Sequence, residues 1–202
     1  MKILTQSIKE CLEIEFNKNI NDISETDLKN VKSLILNRLD YDGSILNIDY
    51  NELAYFENLE HLDIMNCMIN EELMKLILSL KKINSLNIYN SDFIDDCNLF
   101  FELLNLEKLS ISNCIGINDV SFNNLKNLKL KNIVGNIYVN NVKELNIYDL
   151  NDNKKNNLII ENVTNLIIKD SNKNLLTKIN DKIKNITIVD DKNNVIEVIK
   201  ND

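Results

Sequence analysis

The chain has 202 residues and a mass of 23.4 kDa, with 31 acidic side chains against 23 basic ones, a net charge of −8 and a pI near 4.8. A composition of 44% hydrophobic and 27% charged residues suits one globular domain and argues against a disordered chain. The acidic balance, with Arg38 the single arginine, argues against a phosphate-backbone partner, and no apolar run reaches the ~18 residues of a membrane-spanning helix, so neither nucleic-acid binding nor membrane insertion is expected.

Residues 1–16, MKILTQSIKECLEIEF, lack the basic and unbroken apolar regions of a signal peptide. Leu4, Ile8, Cys11, Leu12 and Phe16 fall on one helical face, which predicts an amphipathic helix over 4–16. ISETDLKNVKSLIL follows at 23–36, and within it a repeat begins. Aligned on their first apolar residue, the copies start at Val31 (VKSLILNRL), Leu59 (LEHLDIMNC), Ile83 (INSLNIYNS), Leu106 (LEKLSISNC), Leu125 (LKNLKLKNI), Val142 (VKELNIYDL), Val163 (VTNLIIKDS) and Ile183 (IKNITIVDD). The offsets are 28, 24, 23, 19, 17, 21 and 20 residues, and the fourth and sixth residues of every copy are Leu or Ile. Such alternation is a short strand with one buried face. A return of roughly 20–29 residues brings the chain back parallel to its start, so the strands stack and share one continuous core.

The returns differ along the chain. NEELMKLILSLKK (70–82) places Leu73, Leu76, Ile77 and Leu80 at helical spacing behind Asn70 as N-cap, and DDCNLFFELL (95–104) offers a similar pattern. Later returns are too short for helices and carry β-like fragments, NIYVNN (136–141) and NLIIEN (157–162). The expected molecule is bulky and curved early, thin and straighter late. NNVIEVIKND (193–202) can add a last strand without an evident cap, which leaves an edge open to self-association in an otherwise monomeric protein.

The pattern L-x-x-L-x-L-x-x-(N/C)-x-L resembles that of leucine-rich repeat (LRR) proteins over essentially the whole chain. Cys67 with Ile69, Ser91 with Phe93, and Cys114 occupy its later positions, whereas Leu39, Ile133, Leu150, Ser171 and Asp191 depart from it. The 17-residue step makes the boundaries between 125 and 163 the least regular. A helix, a short I-(T/S)-x-x-D-L segment and then a first strand is similar to the start of bacterial, internalin-like LRR domains. The resemblance implies an α/β LRR solenoid with a curved parallel sheet of about eight strands. It further implies a helical cap over residues 1–30 covering the first strand of a solenoid over 31–202, the two forming one structural domain. The polar residue after each strand is implied to hydrogen-bond the loop backbone, with Cys67 and Cys114 as buried structural thiols.

In such a sheet the third, fifth, seventh and eighth residues of each copy lie on the concave side or its edge. Eight strands at about 4.8 Å spacing make a face on the order of 34 Å long, suited to a protein or peptide partner. Aromatic residues and Arg dominate interface energetics, so Arg38, Met65, Tyr89 and Tyr148 are the candidate contacts, with His61 beside them and the Lys129/Lys131 pair further along. Asp149, Asp170 and Asp190 form an acidic edge suited to a basic partner, although solvation alone accounts for it.

No catalytic constellation is visible. His61 is the only histidine, the cysteines (Cys11, Cys67, Cys97, Cys114) are widely spaced, and three glycines cannot build a phosphate-cradling loop. No metal, no cofactor and no enzymatic activity are expected. The cysteine usage suits a reducing, cytoplasmic setting, with a secreted or cell-surface setting the alternative if a leader has been trimmed. Asparagine occurs 38 times, a bias of the kind AT-rich coding DNA produces, so no single Asn is read as functional and the N-x-T matches at Asn162 and Asn185 are read as chance. Three roles stand: a protein-interaction module binding on the concave face, the recognition part of a bacterial adhesin or effector, and a self-assembling repeat.

Overall fold

The computed structural model describes residues 5–39, 43–95, 106–117, 120–149, 157–169 and 183–200. The predicted helix 95–104 lies almost wholly outside them, and so do Leu4, Cys97, Leu150, Asp170 and Ser171.

Helix α1 (Gln6–Phe16) buries Ser7, Ile8 and Leu12 and half-buries Cys11 and Phe16. It packs on β1 (Ser33–Asn37), and the Ser7 hydroxyl accepts a hydrogen bond from the Asn37 amide at 3.1 Å. The buried Glu52 carboxylate accepts from the Thr5 amide at 3.0 Å, which ties the start of α1 to the 3₁₀ segment Tyr50–Tyr55. Helix α2 (Glu25–Asn30) opens on a capping box: Ser24 Oγ accepts from the Asp27 amide, and the Asp27 carboxylate accepts from the Ser24 amide. Asn70 caps α3 (Glu71–Ser79) by accepting from the Leu73 amide. The core face of α3 differs by one residue from the spacing forecast: Met74 is buried and Leu76 only half-buried.

The strands are β2 (His61–Met65), β3 (Met68–Ile69), β4 (Ser85–Tyr89), β5 (Asp92–Phe93), β6 (Lys108–Ser112), β7 (Val120–Asn123), β8 (Asn127–Lys131), β9 (Asn136–Tyr148), β10 (Asn157–Lys169), β11 (Asn185–Val189) and β12 (Val195–Lys200). They form a mostly parallel β-solenoid with few helices. The main sheet runs β1-β2-β4-β6-β8-β9-β10-β11-β12, with β7 on β9, while β3 pairs with β5 separately. Its ten strands exceed the expected eight because β7 adds a strand on the back and β12 folds onto β11 antiparallel. The fourth and sixth residues of all the copies, Leu34 and Leu36 through Ile186 and Ile188, are buried in a single core. Each such side chain contributes about 1.5–3 kcal/mol, and it does so only because the coils on either side cover it.

The back of the solenoid changes along the chain. Among the described residues no helix follows α3, and NIYVNN and NLIIEN are extended. They are not separate fragments, however. Each is the first half of a 13-residue strand that turns a corner without shifting register, at Asn141 (φ 56°) in β9 and Asn162 (φ 50°) in β10, where the pairing skips the corner residue and resumes at Val142 and Val163.

Those corners correct the compositional view of asparagine. Ten non-glycine residues have positive φ among the described residues, and nine are Asn: 17, 66, 90, 113, 124, 132, 141, 162 and 193; the tenth is Asp149. Left-handed backbone costs most side chains roughly 1–2 kcal/mol, and Asn and Asp tolerate it best after glycine. The eighth residue of each middle copy is therefore a corner and not a concave contact. Its amide donates to the seventh-residue carbonyl of the next coil: Asn66 to Tyr89 (3.1 Å), Asn90 to Ser112 (3.0 Å), Asn113 to Lys131 (2.9 Å) and Asn132 to Tyr148 (3.1 Å). Side-chain bonds tie some corners to the neighbouring coil as well, Asn66 Nδ2 to Asn37 Oδ1 at 2.8 Å and Asn132 Nδ2 to Oδ1 of the corner residue Asn113 at 3.2 Å.

The next residue locks the turn from inside. The buried Cys67 and Cys114 thiols donate to the carbonyls of Met65 (3.1 Å) and Ser112 (3.3 Å), and Ser91 Oγ donates to the Tyr89 carbonyl at 2.9 Å while accepting from the Cys67 amide at 3.1 Å. Burial pushes the Cys67 thiol up to about 11, so it is a protonated structural donor near neutral pH.

Replacing Asn90 separates conformational need from side-chain chemistry. Asn90→Gly should leave urea stability within a few tenths of a kcal/mol, while Asn90→Val should cost about 1–2 kcal/mol. Equal losses in both variants, read by circular dichroism, would show that the Asn side chain and not its φ is what the corner needs.

Candidate functional site

With the fourth and sixth residues inside, the third, fifth and seventh face outward from the main sheet, and the registers stack them in rows. The seventh row runs Asn37, Met65, Tyr89, Ser112, Lys131, Tyr148. The fifth runs Ile35, Asp63, Asn87, Ser110, Lys129, Asn146, Ile167, Thr187. The third runs Ser33, His61, Ser85, Lys108, Asn127, Glu144, Asn165, Asn185.

The sequence-selected residues divide into groups on this face. Met65 and Tyr89 are register partners on β2 and β4; Met65 is half-buried and Tyr89 is 39% exposed. Met65 also lines a groove of about 300 Å³ between α1 and β1, with Cys11, Ile14, Ile35 and Leu39. Arg38 stands apart from them. Its charge acts on Cys67 and Tyr50 at the corner, and its amide donates to the Met65 carbonyl. His61 is exposed at the start of β2, about 13 Å along the strand from Met65. The buried Cys67 lies beyond the other end of that strand.

Lys129, Lys131 and Tyr148 do come together, on β8 and β9. The Lys129 and Lys169 ammonium groups lie 5.6 and 5.9 Å from the Tyr148 ring centroid, a cation–π arrangement that holds the ring from two sides. Tyr148 Oη donates to Asn146 Oδ1 (3.3 Å), and Asn146 Nδ2 donates to Glu144 Oε1 (3.1 Å). Burial raises the phenol above its ordinary value near 10, Glu144 raises it further, and Lys169 opposes both.

The acidic edge is largely used up internally. Asp149 is a corner that pairs with Lys169 (3.4 Å) and, at 4.0 Å, with Lys131. Asp190 folds its carboxylate onto its own turn, accepting from the amides of Lys192 and Asn194 at 2.8 Å. Sequence reading passed over two residues of this face, Lys108 and Lys169. The signal for both was present, since Lys108 is the third residue of LEKLSISNC and Lys169 the seventh of VTNLIIKDS; the contact of Lys169 with Tyr148 follows from β10 lying beside β9.

Among the described residues no cluster of three His, Cys, Asp or Glu side chains is arranged to hold a metal. No helix of the described residues is long and apolar enough to cross a membrane. The arrangement offers contact area, hydrogen bonds and charge.

Because its folded value is raised, Tyr148 favours the fold in its neutral form below about pH 10, and that contribution fades as pH rises through the folded value. Lys169→Gln removes the opposing charge and should raise the Tyr148 value further. Absorbance titration at alkaline pH, with Tyr148→Phe as baseline, reads this directly; a fall or no movement would contradict the contact.

Comparison of the chain with protein-family models, with curated proteins and with solved structures finds no match, so the face is identified by its own geometry as a multi-strand surface of unlike, outward-pointing side chains on a parallel solenoid.

Proposed function

We propose that the protein is a non-catalytic recognition module of leucine-rich repeat type, with an internalin-like helical cap, that binds a protein or peptide across the open face of its main sheet. The observation that carries the reading is the seventh row. Met65, Tyr89, Ser112, Lys131 and Tyr148 stand on successive strands in strict register, each held by a backbone corner bond behind it. Preorganised aromatic and long side chains on a rigid sheet lose little entropy on contact, which is what favours binding energy there. The helical start supports the same reading, since α1 packs on β1 and its Ser7 hydroxyl answers an amide at that end of the sheet.

The test is capture of partners from a lysate of the source organism by the wild-type chain and by Tyr89→Ala/Tyr148→Ala. The reading expects a partner retained by wild type and weakened at least tenfold in the double variant, with unchanged circular dichroism. A partner held equally by both would move the site off this face.

A second reading, self-association, is supported by β12. Val195, Ile196 and Val198 are 62%, 53% and 52% exposed, and among the described residues β12 pairs on one side only, with β11. Sedimentation over a hundredfold concentration range decides it: a mass rising above 23.4 kDa and abolished by Val198→Lys favours this reading, and a constant monomer removes it.

A further inference from the structure

We propose that the segment bound on the open face is acidic, and that it is received by a lysine saddle on β6 and β8. This rests on the open face being the binding surface and names the chemistry of its partner. On the face side of the sheet β6 carries Lys108, Ser110 and the buried Ser112, and β8 carries Asn127, Lys129 and Lys131. Two adjacent central strands thus present three lysines and no carboxylate, on a chain whose net charge is −8. Lys108 and Lys129 form no ion pair with any described residue, and Lys131 reaches only Asp149, at 4.0 Å. Lysines with no described carboxylate closer than 4.0 Å at the centre of a surface, in a protein with an excess of carboxylates, mark the point where an opposite charge is to arrive.

Shape points the same way. Ser110 and Ser112 are short, so the floor beside the lysines is low. Tyr89 and Tyr148 flank that floor three strand spacings apart, about 14 Å. Lys129 and Lys131 are two residues apart on one strand, roughly 6.6 Å, which matches alternate side chains of an extended peptide. An extended segment lying along β8 sets alternate carboxylates on Lys129 and Lys131, with its intervening side chains facing away from the sheet. A nucleic acid fits less well: no arginine lies on the described face, and three lysines on two strands are few for the long run of phosphates a nucleic acid presents.

The probes are three fluorescein-labelled ligands offered to the full chain: an eight-residue peptide alternating Glu and Leu, its Lys and Leu counterpart, and an eight-nucleotide oligothymidylate. Fluorescence anisotropy should show the acidic peptide bound at least tenfold more tightly than the other two, with affinity falling as salt rises. Lys129→Gln/Lys131→Gln and, separately, Lys108→Gln should each weaken it at least fivefold at low salt and flatten the salt dependence. Lys129→Glu/Lys131→Glu should turn the preference toward the lysine peptide. Absence of acidic-peptide binding, equal binding of both peptides, preference for the oligothymidylate, or indifference to the lysine changes would each overturn the proposal. If one of these occurs while Tyr89→Ala/Tyr148→Ala still loses its captured partner, only the acidic chemistry is wrong. If that double variant keeps its partner, the binding face is wrong as well.

Discussion

The structure depends on how each strand is clamped at its two ends to the coil beside it. At the start, one carbonyl serves two amides of the next coil: Lys32 accepts from Glu60 and His61, Glu60 from Asn84 and Ser85, Asn84 from Glu107 and Lys108, and Glu107 from Lys126 and Asn127. At the end, the left-handed corner residue turns its amide onto the following coil. A parallel ladder by itself tolerates slippage, and a slip of one residue would exchange the core with the face. The two clamps fix the register, so the leucine and isoleucine pairs face inward in every coil.

The outward face follows from that constraint. Residues two apart on a strand appear together, and residues 17–28 apart in the chain become neighbours at strand spacing. Tyr148, for example, is a lone aromatic along the chain, yet in the fold it lies between lysines from β8 and β10 and is anchored through Asn146. Aspartates that look available for a partner are already engaged, one as a corner and one in its own turn, while the lysines of the central strands have at most one distant carboxylate among the described residues.

Capping at the two ends is unequal. At the start, α1 lays Ile8 and Leu12 over the first coil, and its Ser7 hydroxyl satisfies an amide that would otherwise face outward from β1. At the other end β12 reverses direction on β11 and keeps three large apolar side chains in contact with solvent. Alternation explains part of that exposure. Val198 lies opposite Thr187 on the open side, and Ile199 lies opposite Ile186 on the core side.

By itself the sequence determined the strands, the inward positions and the helical start. Leu or Ile at two fixed places carries the same burial requirement in every copy, and a helix with apolar residues at i, i+4 and i+8 has one face to bury wherever it sits. It also marked Cys67 and Cys114 as structural thiols. The corners were not legible, because an asparagine chosen for its tolerance of positive φ looks the same in a sequence as one of 38 supplied by composition. The joining of 136–141 to 142–148 into one strand, the back strand β7 and the direction of β12 were decided only by pairing with neighbours, a contact that periodicity along the chain does not encode. The lysine saddle belongs to the same class: Lys108, Lys129 and Lys131 share a surface because the coils stack, and what lies beside each of them is set by the stack.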